Sequence, residues 1–463
     1  MGLPLWKRGV LLVAGLAALY LLYGFGLDGA GMLGPDEPRY AAIGRAMAET
    51  GDWVTPRLWD EPWFEKPALL YWMTATGFKA GLNPDLAPRV PVALASVAFL
   101  VFFGVYLGRE FGSRAALYAT AILATSAGWL TYSHIGVTDL PLAVCFSVAM
   151  LLMMPGVGTV KPVWAGVFLG LAVLAKGLVP FVLIVPAFWF LRKRWKDLAA
   201  MLAVAVLIAT PWYALVIVRN GQPFIDEFFW KHHFARFMNG SLQHVRPGWF
   251  FVPILWAGFF PWTPMLALLL RGRLYRDQRA QFLVAWAAFG LLFFSLSDNK
   301  LPGYVLPLMP AIAGLLGLQL AQAYGRTAPI LAASLLGCAA ALLGLIPVVA
   351  QVLPTALLKG ASSVTPAVPI ELILVATVTG LLVGWLCFRW NNAGGVGIIG
   401  AGVIAGVIFL IRSTFPALDQ SVSARGFWRV HGAQSCVESG TRSWQYGLDY
   451  YARREVPDCG PKP

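Results

Sequence analysis

Asp36 and Glu37 stand side by side at a Pro-flanked turn, directly after the first hydrophobic run. Acids there can act as a general base or anchor a substrate. The same place also suits a helix N-cap, where acids are favoured. Glu65 and Lys66 lie between Phe64 and Pro67, as a metal ligand and an anion contact or as a solvated ion pair of little net energy. Asp139 follows Thr138, with His134 about a turn earlier. It is a reactive carboxylate at the outer end of a span, or an acid resting among headgroups. Adjacent His232 and His233 point in different directions on a helix, so at most one joins a site. A divalent cation shared with an outer-face carboxylate is open to it, and so is plain interfacial polarity. Lys176, Lys300 and Tyr304, with Arg57, Lys66 and Arg236, could gather around a lipid phosphate or simply snorkel.

These residues need a scaffold, and the composition says which kind. Of the 463 residues, 58% are hydrophobic and 12% charged, about half the charge of a soluble globular chain. A spanning helix needs about 20 apolar residues. Runs at about 9–27, 88–107, 115–132, 139–154, 163–176, 178–191, 198–218, 250–270, 280–297, 302–322, 328–349, 369–388 and 394–412 predict about thirteen spans in an all-α polytopic membrane protein. Lys176-Gly177 interrupts 163–191, which reads as two short helices with a turn at membrane level. The net charge of +13 does not point to nucleic acid. The basic residues cluster in short loops, as the positive-inside rule expects, and form no aromatic-studded stripe.

Alternation places Arg109, Arg114, Lys161, Arg192–Lys196, Arg271–Arg279, Arg326 and Arg389 on the side of Lys7 and Arg8. That side is cytoplasmic. The opposite face receives the 28–87 loop, the 219–249 loop, the 297–300 turn and the tail at 413–463. Residues 1–412 form the transmembrane domain, with an N-terminal signal anchor that is not cleaved. In the first loop, Tyr40, Ile43 and Met47 predict an amphipathic helix in the interface plane, and a second helix starts at Pro67. In 219–249, Phe224, Phe228 and Phe229 predict an aromatic helix carrying His232 and His233. Cys145, Cys338 and Cys387 read as packing residues. Cys436 and Cys459 lie in a polar tail too small for a filled core without a staple, and an outer location lets them pair.

Asp36-Glu37-Pro38-Arg39-Tyr40, Gly51–Arg57 and Phe64-Glu65-Lys66-Pro67 closely resemble the first outer loop of the ArnT-like, protein O-mannosyltransferase-related GT-C glycosyltransferases. Val137-Thr138-Asp139, Ala175-Lys176-Gly177, Phe228-Phe229-Trp230 through His233, Arg236-Phe237 and Lys300–Tyr304 follow in family order across about residues 30–310. The resemblance implies a GT-C fold of thirteen transmembrane helices with outer juxtamembrane helices. It implies sugar transfer, with inversion, from a polyprenyl (undecaprenyl) phosphate carrier in the bacterial inner membrane. Asp36 matches the catalytic acid and Asp139 the second carboxylate, with Glu37 beside them. Arg57, Lys66, Lys176, Arg236, Lys300 and Tyr304 fall at the donor phosphate. Glu65 and His233, with His232 as the alternative, look like a divalent-cation pair; no other cofactor is implied. Two departures stand out: the C-terminal outer domain is much shorter than in the lipid A enzymes, and His232 replaces an acid.

The expected partners are a polyprenyl-phosphate sugar, a lipid A-type glycolipid acceptor and the surrounding lipids, for a monomer that binds no nucleic acid. A protein O-mannosyltransferase acting on secreted Ser/Thr is the second enzyme reading. A lipid-linked-sugar flippase is the reading from another class. A transporter places ionisable groups near the midplane in repeated halves, and this chain has neither a clear repeat nor charged span centres.

Overall fold

The computed structural model describes residues 4–156, 160–235, 245–270, 276–322, 329–360, 363–366, 368–389, 392–432, 436–437 and 441–459. The side chains of 232–235 lie outside that description. The protein is mostly helical, and its hydrophobic runs form the helices of a multi-pass membrane body. Among the described residues seven helices are long and apolar enough to cross a membrane: Val90–Phe111, Arg192–Asn220, Gln278–Leu296, Pro302–Gln322, Ala333–Lys359, Ile370–Cys387 and Asn392–Ser421. The pair Gly248–Gly258 and Thr263–Leu270, bent by 115°, makes an eighth if it is one span. Shorter apolar helices include Leu12–Tyr23, Asp139–Leu152, Pro162–Lys176 and Val179–Phe190.

The run at 115–132 is not one helix. It divides into Ser113–Ala124 and Ala127–Ser133. At the break, the Thr125 and Ser126 hydroxyls donate back to the carbonyls of Ala121 and Ile122, a pattern that bends helices. The run at 250–270 breaks alongside it. Ala127 N–H donates to Phe260 O at 2.9 Å, and Trp262 Nε1 donates to Thr125 Oγ1 at 2.8 Å. Each break thus supplies partners for the other, which is how irregular backbone survives at membrane depth. The 163–191 region does divide as expected, with Gly177 at φ 77° between Pro162–Lys176 and Val179–Leu183.

The outer loop 28–87 folds into two helices and a small hairpin. Asp36–Thr50 starts with two acids and ends at Gly51 in the left-handed conformation (φ 75°), where a side chain would be strained. This helix does not lie open in an interface plane: most of it is buried. Leu69–Lys79 packs on one side of it and Arg442–Ala452 from the tail on another. Gly44 makes the first contact close, since a Cβ there would stand 3.1 Å from Tyr71 O. Between the helices, Arg57–Leu58 pairs with Glu61–Pro62 around Trp59 and Asp60, both at positive φ. Two left-handed residues are what a tight hairpin turn requires.

In the second outer loop, Ile225–Ala235 winds as a π-helix after Gln222–Phe224. Phe224 and Phe228 are buried with Phe64 and Trp212, and the Phe64 and Phe224 rings lie 5.2 Å apart. The tail forms Phe415–Ser421, Arg425–His431 and Arg442–Ala452. Among the described residues, Ala424, Leu448 and Val456 form its small buried apolar cluster, with Phe427, Trp428 and Trp444 packed against it. The Cys436–Cys459 disulfide supplies the staple.

Candidate active site

Two acidic–basic groups assemble where the 28–87 loop meets the ends of the helices. In the first, a row of charges joins the outer helix to the loop after the hairpin. Arg39 pairs with Asp36 and donates through NH1 to Glu65 Oε2 at 3.0 Å. Lys66 Nζ donates to Glu65 Oε1, also at 3.0 Å. Arg39 Nε donates to Pro35 O at 2.9 Å, so the edge of one guanidinium serves three acceptors. The helix period explains part of this: Asp36 and Arg39, three apart, share a face. Burial opposes the charge on Arg39, but Glu65 and Asp36 outweigh it and hold the guanidinium firmly protonated. Burial, reinforced by Glu65, likewise pushes the Tyr40 and Tyr71 phenols up.

The second group comes from deeper helices. Asp139 opens Asp139–Leu152 and Lys176 closes Pro162–Lys176, and these two helices pack along each other. An acid at an N-terminus and a cation at a C-terminus both complement the helix dipole. Lys176 Nζ lies 2.6 Å from Asp139 Oδ1 and 4.8 Å from the centre of the Tyr304 ring. Tyr304 belongs to Pro302–Leu308, whose Gly303 lies directly against Asp139. Tyr132 joins the two groups: Asp139, Asp36 and Tyr304 all lie within electrostatic reach of its phenol.

The neighbouring acids differ sharply. The Asp36 side chain is 42% exposed and that of Glu37 is 1% exposed. Glu37 takes a bidentate pair from Arg89 at 2.7 and 2.8 Å and N–H donors from Leu33 and Gly136, each at 2.9 Å. Arg89 also donates to the carbonyls of Leu27, Ala30 and Gly31. Glu37 therefore ties the outer loop to the start of Val90–Phe111 and to the turn before Asp139, with both oxygens engaged, while Asp36, paired with Arg39, stays partly exposed.

The residues expected at the donor phosphate are not all brought together. Lys66, Lys176 and Tyr304 border the two groups. Lys300 is buried and donates to the carbonyls of Arg246 and Ser297, so it braces the turn before Tyr304. Arg57 lies on the hairpin, where its NH1 donates to Asp60 O at 3.0 Å. Arg236 and the side chains of His232 and His233 fall outside the described residues. Among those described, no group of three or more His, Cys, Asp or Glu could hold a metal ion. Glu65 already faces two cations, Arg39 and Lys66.

Sequence reasoning did not single out Arg39, Arg89 or Tyr132. Arg39 carried a faint signal, its three-residue spacing from Asp36. Arg89 and Tyr132 depend on contacts across distant segments.

Residues 65–218 match the family model described as dolichyl-phosphate-mannose-protein mannosyltransferase. An undecaprenyl phosphate-alpha-4-amino-4-deoxy-L-arabinose arabinosyl transferase of Pseudomonas aeruginosa is 32% identical over 96% of this chain and 88% of that protein. The chain belongs to the ArnT-like family of GT-C glycosyltransferases. A second ArnT-like relative, of the same name from Serratia proteamaculans, is 34% identical over 63% of this chain and 56% of its own length. The crystal structure of ArnT from Cupriavidus metallidurans bound to undecaprenyl phosphate superposes with a TM-score of 0.78 at 26% identity. It covers 98% of this chain and 86% of that one. The ArnT-like fold thus runs through the tail as well as the transmembrane body.

Proposed function

We propose that this protein moves a sugar from undecaprenyl phosphate to a lipid A-type glycolipid on the outer face of the bacterial inner membrane. By the names of its relatives the sugar is 4-amino-4-deoxy-L-arabinose. The observation that carries this reading is the Lys176–Asp139 pair against the Tyr304 ring, with Asp36 within electrostatic reach of the same Tyr132 phenol as Asp139, in a chain that shares its fold with an ArnT bound to undecaprenyl phosphate. The full reading has thirteen passes, counting the shorter and broken helices, an inside N-terminus and an outside tail. The basic loops support that orientation.

Transfer passes through an oxocarbenium-like state while the carrier phosphate leaves with negative charge. Fixed cations aimed at that charge stabilise the transition state more than the bound donor. Lys66 and Lys176 take this role, the family motif assigns Arg57 and Arg236 to it as well, and the Tyr304 hydroxyl adds a neutral hydrogen-bond donor. Lys300 supports Tyr304 from behind. Asp36, the open carboxylate, removes the proton of a hydroxyl acceptor or orients a phosphate that is already anionic. Attack opposite the leaving phosphate inverts the anomeric centre. Asp139 orients Lys176, and Glu37 fixes the turn that presents Asp36. No step here runs through a metal at Glu65 and His233, because Glu65 is engaged by Arg39 and Lys66.

The test is transfer by the purified, reconstituted protein, with undecaprenyl-phosphate sugars and lipid A, read by mass spectrometry. Wild type should add one sugar mass to lipid A. Asp36→Asn should lose about 10²–10⁴-fold in rate while still binding donor. Full activity of Asp36→Asn would remove Asp36 from the reaction. Sugar on an added secreted protein instead would favour the O-mannosyltransferase reading.

A further inference from the structure

Arg39 is held on its edge by three acceptors and covered by three aromatic rings. The guanidinium carbon lies 5.5 Å from the Trp63 ring, 5.8 Å from Tyr40 and 5.0 Å from Tyr446. Trp63 and Tyr40 belong to the first outer loop. Tyr446 arrives from the far end of the chain, on Arg442–Ala452. We propose that Tyr446 is a positioning residue for the reaction: by capping Arg39 it holds Asp36 and Glu65 in register, and the C-terminal tail thereby completes the reaction centre. This inference rests on the transfer reading above.

The tail helix is docked firmly without Tyr446. Arg45 NH1 donates to Tyr450 O at 2.8 Å and the same guanidinium lies 4.1 Å from the Tyr450 ring. Tyr450 Oη donates to Pro84 O at 2.6 Å. Tyr451 Oη donates to Asp85 Oδ1 at 2.7 Å and accepts from Met32 N at 3.0 Å. Arg425 closes the set on Asp85 and Asp419, and the Cys436–Cys459 disulfide brackets the helix. The Tyr450 and Tyr451 contacts lie toward the end of the helix, after Tyr446. Tyr446 itself is half-buried, with Arg442 near its ring as well, at 5.5 Å. Removing the ring therefore leaves the docking in place and takes away the cap.

The physics favours an effect on rate. A cation over an aromatic face is worth more as both are shielded from water, and Arg39 is only 5% exposed. A guanidinium with a loosened face can tilt, and it carries Asp36 and Glu65 with it. Misplacement of a reacting group by about an ångström is costly in rate. The donor-phosphate residues Lys176 and Tyr304 sit on other helices and keep their places.

The experiment compares full-length Tyr446→Phe, Tyr446→Leu and Tyr446→Ala with wild type in the reconstituted assay, reading kcat, donor KM and thermal midpoint. Tyr446→Phe keeps the ring face and should retain the wild-type rate. Tyr446→Leu keeps apolar bulk without the face. It and Tyr446→Ala should lose about tenfold in kcat, with donor KM and midpoint little changed. A Leu variant as fast as wild type overturns the proposal, since packing alone would then suffice. So does a loss of kcat that tracks a loss of midpoint. If wild type itself transfers no sugar, the transfer reading fails and takes this inference with it. If wild type transfers and the Leu variant does too, only this inference fails.

Discussion

Lys176 Nζ lies 2.6 Å from Asp139 Oδ1, where the C-terminus of one helix meets the N-terminus of another packed along it. Each side chain neutralises the other in a place where water is scarce, with exposures of 13% and 16%. Breaking such a pair from one side strands a charge, whereas removing both charges together is often tolerated. Lys176→Met alone should therefore lower the thermal midpoint and cut transfer at least about tenfold. The double variant Lys176→Met/Asp139→Asn should recover the midpoint and stay inactive. Recovered transfer in the double variant would show the pair to be purely structural.

Gly303 is the second test of the same corner. A Cβ added there would stand 2.6 Å from Asp139 Cγ and 2.9 Å from Tyr132 Cε1, closer than atoms pack. Gly303→Ala must displace one of them. Overpacking costs about 1–3 kcal/mol, so the protein should still fold with a lowered midpoint. Its transfer rate should fall far more than that of an alanine substitution at exposed Gly397, where an added Cβ meets nothing within 4 Å. Comparing midpoints and rates of the two variants checks this.

Arg39 and Lys are not exchangeable here. The guanidinium reaches Pro35 O, Glu65 and Asp36 at once through three nitrogens, and a lysine ammonium is a point charge without that fork. Arg39→Lys should keep the fold and lose at least about tenfold in kcat. Steady-state kinetics on the reconstituted variant decide it.

Glu37 and Arg89 should behave as stability residues. Both are almost fully buried and mutually bidentate. Arg89→Met leaves the Glu37 carboxylate unpaired, an arrangement that costs about 3–5 kcal/mol. The variant should unfold at a clearly lower temperature in detergent, with the outer loop opened to proteases.

Asp449 makes the tail sensitive to pH. Burial pushes its carboxyl from the ordinary 3.8 up to about 6, against the N–H of Val456 and the Gln445 amide that favour the charged form. The folded tail therefore holds this proton more tightly than the unfolded chain. That contribution is full below about pH 4 and is lost as pH rises through about 6. The hydrogen-exchange protection factors of Arg442–Ala452, with the intrinsic pH dependence of exchange divided out, should be higher at pH 5 than at pH 7.5. Asp449→Asn, which keeps the acceptor and removes the charge, should abolish the difference.

Much of the architecture was legible in the chain itself, because lipid demands long apolar helices and basic loops, and both are written in composition. The outer helix at Asp36, the second helix after Pro67 and the aromatic helix around Phe224 followed from local spacing. The family motifs marked Asp36, Asp139, Lys176 and Tyr304. Other features were settled only in three dimensions. The break at Thr125–Ser126 has the look of a continuous apolar run, and its partner, the bend after Gly258, lies more than a hundred residues on. The hairpin at Trp59-Asp60 carries no glycine to announce it. Asp36 and Glu37 are equivalent as letters, yet one is open and the other locked by Arg89, since adjacent residues on a helix point apart. Arg89, Tyr132 and Tyr446 were silent for the same reason. Their importance lies in which distant groups they meet, and sequence periodicity reports only near neighbours along one element. The chain alone thus determined the membrane body, the outer loops and the chemical types available. The tertiary structure decided which charges face each other, because that depends on how helices far apart in sequence pack.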